Sequence, residues 1–168
     1  VVEFRGYRGR GLWGIFLGDE LFCNAVRVPD ISYPYRKTID EDIRLRFGNG
    51  EFGLPKDTND DNPFRLIAFR RWAAEQITAH YKEVYETVKE IDDATIIFGP
   101  DPFSSIPPDD YSAWAPYVDV ITGQTVGYWT SRSIVDQLST GYTVKLLSDL
   151  TGKPVWPAIQ MVYAMKSL

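Results

Sequence analysis

The stretch Gly11-Leu12-Trp13-Gly14-Ile15-Phe16-Leu17-Gly18-Asp19-Glu20-Leu21-Phe22 decides the fold class of this chain. From Leu12 to Leu17 it is apolar and uncharged, and it stops at a glycine and two adjacent acids, Asp19 and Glu20. An uncharged strand of this kind reads as one covered on both faces, as in a parallel sheet. In parallel α/β folds, sites gather at the carboxyl ends of the strands. Chain order places Glu20 at such an end, and the chemistry is assigned to it.

Working outward, three further short apolar runs recur at Thr95–Phe98, Val118–Thr122 and Val155–Ile159, each bounded by glycine, proline or charge. Between the first and second runs lies an amphipathic segment, Phe64 to Ile91. Its apolar positions Leu66, Phe69, Ala73, Ile77, Val84, Val88 and Ile91 step by three, four or seven, which predicts a helix. Asn62 followed by Pro63 supplies an N-cap and a first-turn proline. The third and fourth runs are linked by two expected helical pieces, Thr130–Leu138 and Tyr142–Leu150. Thr130 or Ser131 would cap the first of them, and Gly152 with Pro154 would end the second. Strands alternating with helices imply βαβ units and a parallel sheet.

Residues 24–62 break this rhythm. They are rich in Pro, Gly, Asn and Asp, and read as one long loop leaving the Asp19–Glu20 turn to cover a substrate. Within them the cluster Asp57 to Asn62 reads as a capped helix start rather than a calcium loop, since the spaced ligands and distal glutamate are missing. The whole chain reads as a single domain, 1–168, with this loop at the strand-end face. A complete eight-stranded barrel takes ~250 residues, so four strands make about half of one. The alternatives are a small open sheet, or a barrel segment whose other strands come from the remainder of a longer chain or a second chain. Both ends read as cut from something longer, which leaves localisation open.

Composition bounds the function. The 168 residues are 44% hydrophobic and 14% aromatic, as in an ordinary globular protein with a real core. A net charge of −5 argues against a nucleic-acid partner, because no basic stripe exists to neutralise phosphates. No apolar run approaches the ~20 residues that span a bilayer, so no membrane partner is expected. One cysteine, Cys23, and one histidine, His80, leave no internal disulfide and no cysteine-rich or multi-histidine metal centre. No metal or cofactor is expected. Cys23 reads as a small buried hydrophobe, His80 as a solvated helix residue, and Trp13 and Trp72 as core.

The stretch GLWGIFLGDEL, with YRGRG before it, resembles the fourth strand of the (β/α)8 glycoside hydrolases of the beta-galactosidase and cellulase superfamily. The segment FRLIAFRRWAAEQITAHYKEVYETVKEIDDATIIFGPD resembles the helix and strand that follow it. The likeness is one of layout over most of the chain, and only the GDE strand end is motif-like. It implies a partial (β/α)8 barrel, strands four to seven, and acid/base hydrolysis of a glycosidic bond. Glu20 would be the general acid/base and Asp19 its neighbour at the strand tip. A secreted or periplasmic location would go with such an activity.

Glycoside hydrolysis needs two carboxyl groups, one to protonate the leaving oxygen and one to attack or to activate water. In the resembled enzymes the nucleophile is a glutamate at the end of the seventh strand. Here PVWPAIQM offers Gln160, and an amide cannot do that work. An inactive site, a different second carboxylate and another register are all open. Asp101, after the second run in FGPDP, is the substitute within the chain. The expected partner is a carbohydrate. Sugars stack their apolar faces on aromatic rings, and Trp114, Tyr128 and Trp129 are the platforms expected. Gln124 and Gln160, after strands, would bind hydroxyls. The rival to catalysis is a carbohydrate-binding or structural barrel domain without turnover.

Overall fold

A computed structural model of the chain describes residues 13–17, 28–29, 32–48, 52–99, 110–125 and 134–159. The chain divides into two compact units, residues 22–79 and residues 1–21 with 80–168. The boundary falls inside one long helix.

In the unit of residues 22–79, helix α1 spans Arg36–Phe47, and the long helix α2 begins at Pro63 and runs to Ile91. The segment expected as an unbroken loop therefore contains a twelve-residue helix. Its cause is local: Ile39, Ile43 and Phe47 recur every four residues and make one apolar face. That face packs where Ile43, Leu54, Ala68 and Phe69 are buried, with Val28, Phe52 and Trp72 around them. Asp40 pairs with Arg44 at 2.7 Å and Asp42 with Arg46 at 3.1 Å, both one helical turn apart. Gly48 ends the helix at φ 99°, its N–H donating to the Arg44 carbonyl. Helix α2 starts as the sequence predicts. The Asn62 side chain accepts from the Phe64 N–H at 3.0 Å, and Pro63 occupies the first helical position.

In the other unit, strands β1 (Gly14–Phe16), β2 (Ile96–Phe98), β3 (Ile121–Thr125) and β4 (Val155–Ile159) are all parallel to their neighbours. β1 pairs with β2 in the register Ile15 to Ile97, and β3 with β4 in the register Gly123 to Pro157. A parallel bridge from Phe98 to Val120 joins the two pairs. Among the described residues the unit also holds residues 80–91 of α2, helix α3 (Tyr111–Trp114), a 3₁₀ turn (Ala115–Tyr117) and helix α4 (Ile134–Thr151). The fold is mixed α/β with short parallel strands.

The first two strands are trimmed relative to the apolar runs, to Gly14–Phe16 and Ile96–Phe98, and two larger differences follow. The third run was predicted as a strand from Val118, but β3 starts at Ile121, because Pro116 sits in the 3₁₀ turn and Val118 closes it. The two expected helical pieces are the single helix α4, which passes through Gly141. A lone helical glycine costs only about 1 kcal/mol. The capping residues expected at 130 and 131 lie outside the described residues.

The sheet has two unlike sides. Register puts Ile15, Ile97, Ile121 and Gly123 on one of them. Ile15 lines a hollow with Val84, Val88 and Ile91 of α2, and Gly123 lies against Leu147 and Thr143 of α4. This is the helix-covered side, where Ile97, Ile121 and Leu147 are fully buried, each worth roughly 1.5–3 kcal/mol. The other side carries Phe16, Phe98, Val120, Thr122 and Trp156.

Candidate functional site

At its carboxyl end β2 is tied both to β1 and to the residue before β3. The Leu17 N–H donates to the Phe98 carbonyl at 2.9 Å, and the Gly99 N–H to the Val120 carbonyl at 3.2 Å. Gly99 has φ 124°, and a side chain there would start 3.2 Å from Leu17 Cβ. Only glycine meets both demands. Chain order then carries Leu17 into Gly18-Asp19-Glu20 and Gly99 into Pro100-Asp101.

The site residues named from the sequence divide into three groups. Asp19, Glu20, Asp101, Tyr128, Trp129 and Gln160 lie outside the described residues. Gln124 falls in β3, its backbone in register with Ala158, inside the strand rather than after it. Trp114 is corrected. It is fully buried at the end of α3, edge-on to Tyr81 at 6.3 Å and tilted against Tyr111 at 5.6 Å, so its ring is core and offers no open face to a sugar. Trp13 changes in the opposite sense, being 60% exposed where the sequence suggested core.

Trp13 belongs to an aromatic group on the side of the sheet away from the helices. It stacks on Trp156 at 5.6 Å, and Phe98 lies 5.8 Å from Trp13, 5.9 Å from Trp156 and 5.5 Å from Phe16. The Phe98 ring passes over Gly14, where a Cβ would meet it at 3.0 Å. Phe16 and Trp156 stay 42% and 39% exposed. A parallel sheet ordinarily has both faces covered. Here one face has its helices and the other presents rings to solvent.

The amino-terminal end of the sheet holds a polar latch that the sequence reading missed. Asp119 Oδ2 accepts from the Ile97 N–H at 2.8 Å and from Lys89 Nζ at 2.9 Å, and Oδ1 from the Tyr85 hydroxyl at 3.3 Å. Lys89 also donates to the carbonyls of Asp93 and Thr95, each at 3.0 Å. Burial pushes the Asp119 carboxyl upward, but the Ile97 N–H, the Lys89 ammonium and the Tyr85 hydroxyl together hold it below its ordinary value. Burial and the Asp119 charge raise Tyr85. With every group engaged and at the amino-terminal end of the strands, the latch is structural. The signal for it was Lys89 placed one turn after Tyr85 on the helix.

No family model matches this chain, and no curated protein matches it. Among solved structures, the crystal structure of an agarase, AgWH50C, is similar with a TM-score of 0.46 and 13% sequence identity, over 84% of this chain and 23% of that one. The chain spans under a quarter of that protein's length. Among the described residues, no group of three or more His, Cys, Asp or Glu is placed to hold a metal ion. No helix among them is long and apolar enough to cross a membrane.

Proposed function

We propose that the chain is a segment of a (β/α)8 glycoside hydrolase-like barrel, with Glu20 as the general acid/base at the carboxyl ends of its strands. The observation that carries this reading is the strand order. Among the described residues, each parallel strand neighbours the next in sequence from β1 to β4, with no reversal. A doubly wound sheet has a switch point, whereas a barrel runs round in sequence. The aromatic face of Trp13, Phe16 and Trp156 fits the interior side of such a barrel, completed by strands from the remainder of a longer chain or from a second chain.

In this reading Glu20 protonates the leaving glycosidic oxygen as the bond breaks through an oxocarbenium-like transition state. A second carboxylate attacks the anomeric carbon or activates water. Asp101 is the second carboxylate within the chain, and Asp19, Gln124, Tyr128, Trp129 and Gln160 contact the sugar. Carboxyl groups about 5–5.5 Å apart would retain configuration, and about 6.5–9.5 Å would invert it.

Gln160, directly after β4, favours a second reading, a barrel that binds carbohydrate without turnover. The deciding experiment compares Glu20→Gln with the unaltered protein on aryl glycosides and on polysaccharides. Loss of hydrolysis with binding retained supports catalysis by Glu20. Equal hydrolysis by both overturns it. Binding without hydrolysis by either supports the second reading.

A further inference from the structure

The apolar hollow between β1 and α2 has a volume of about 260 Å³. Ile15, Val84, Val88 and Ile91 form its floor, and His80, Glu83 and Thr87 its rim. The helix positions recur at intervals of three and four, so they make one stripe down α2. From His80 to Ile91 that stripe runs about 16 Å along the helix.

The opposite flank of α2 is already occupied. There Tyr85 and Lys89 reach Asp119 at 3.3 Å and 2.9 Å, and Lys82 and Tyr85 lie 6.0 Å and 6.4 Å from the Tyr117 ring. Asp119 and Tyr117 directly precede β3, so that flank faces the β3 side of the sheet. The hollow therefore faces the other way, toward the edge of β1 remote from β2, where no strand pairs among the described residues.

Shape and topology select the occupant. A groove of this length beside a helix matches the ridge of a second helix packed along the first. A parallel sheet is covered on both faces, and a parallel strand laid along the free edge of β1 would connect to it through a right-handed crossover. That crossover brings its helix onto the face α2 covers, over the edge of β1 and running in the same direction as α2. Charge adds a detail. Glu83 stands exposed at the rim, while the neighbouring cations are taken: Lys82 pairs with Glu86 at 3.9 Å and Lys89 with Asp119. We infer that this hollow seats an amphipathic helix parallel to α2, its apolar stripe over Ile15, Val84, Val88 and Ile91 and a lysine or arginine against Glu83. The inference rests on the proposed barrel for the continuation of the sheet past β1, and it makes no use of Glu20.

The test is an amide-resolved NMR titration of the protein with three designed helical peptides of about five turns. All carry leucines at intervals of three and four along one face, and the other face is rich in lysine, glutamine or glutamate. The expected result is saturable shifts at Ile15 and residues 80–91 with the lysine peptide. The glutamine peptide should bind about threefold more weakly, and the glutamate peptide more weakly again. Val84→Lys, which sets a charge on the floor, and Thr87→Arg, which fills the rim, should each weaken binding about tenfold. Glu83→Gln should bring the lysine and glutamine peptides level. Absence of shifts with all three peptides, equal affinity for all three, or binding undiminished in both Val84→Lys and Thr87→Arg overturns the inference. Shifts centred on Trp13 and Trp156 instead overturn it too. Hydrolysis by Glu20→Gln is read separately. Peptide binding with hydrolysis unchanged in that variant removes the catalytic assignment and leaves the helix seat, whereas hydrolysis lost in it with no peptide bound removes the seat alone.

Discussion

Asp119 gives Ile97 an acceptor through its side chain: Oδ2 lies 2.8 Å from the Ile97 amide nitrogen, at the start of the bridge between β2 and β3. The same oxygen holds Lys89, so one carboxylate joins two strands to a helix. Asp119→Ala would leave the Ile97 N–H without its side-chain acceptor and a largely buried ammonium with backbone carbonyls but no carboxylate. The expected loss is about 2–4 kcal/mol in denaturant unfolding. Asp119→Asn keeps an acceptor oxygen, and should cost about half as much.

The same carboxylate sets an acid limit. Its folded pKa lies below its unfolded value, so its stabilisation is complete above the ordinary carboxylate range and is lost as pH falls through the folded value. Asp40 and Asp42 are shifted the same way. Burial opposes ionisation of Asp40, and Arg44 with the Leu54 N–H outweighs it; the Trp72 indole N–H is the largest influence on Asp42. Unfolding midpoints should therefore fall steeply below about pH 4. In Asp119→Ala that fall should be shallower. An equal slope in both would remove Asp119 from the explanation.

Two glycines in the sheet should differ in their response to alanine. At Gly14 a methyl would lie 2.9 Å from the Ile96 carbonyl oxygen, a backbone atom that cannot turn away. At Gly123 it would lie 2.9 Å from Leu147 Cδ1, the end of a side chain that can yield. Gly123→Ala should cost about 1–3 kcal/mol, and Gly14→Ala should cost more and disturb the Phe98 ring over it. Thermal unfolding of both variants orders them.

Asn62→Ala removes the acceptor for the Phe64 N–H at the start of α2. About 1 kcal/mol of stability should go with it, and Asn62→Asp should be nearly neutral. Hydrogen exchange in the first turn of α2 would localise the loss.

Rings left open to solvent bind dyes and other chains. The chain should enhance ANS fluorescence through Trp13, Phe16 and Trp156. Trp13→Ser with Trp156→Ser should remove most of that signal. An unchanged signal would mean that the dye binds elsewhere.

Helix α2 was legible almost to the residue, because its cap, its first-turn proline and its apolar spacing agree. Helix α1 was not, although Ile39, Ile43 and Phe47 carry the same spacing. Its dense charges and flanking Pro, Gly and Asn resembled loop composition, and the pairs Asp40–Arg44 and Asp42–Arg46 turn those charges into helix support. The parallel pairing of the apolar runs followed from their bare hydrophobicity. The shift of β3 did not, since Gly123-Gln124-Thr125 looks like a turn until Leu147 is seen pressing on Gly123. Trp13 and Trp114 exchanged roles because a tryptophan's burial depends on what packs against it, and adjacent sequence records none of that. The residues around the strand-end carboxylates were read from chain order alone.

Pro157 gives β4 an asymmetry between its two edges. The Ile121 N–H donates to the Pro154 carbonyl at 2.9 Å, so by alternation residues 154, 156 and 158 turn toward β3, and 155, 157 and 159 turn outward. The missing N–H of Pro157 thus falls on the outer edge, where it interrupts the row of donors that a foreign strand would copy. Any strand that aligns there, the next strand of a completed barrel included, must leave an acceptor unmatched opposite Pro157.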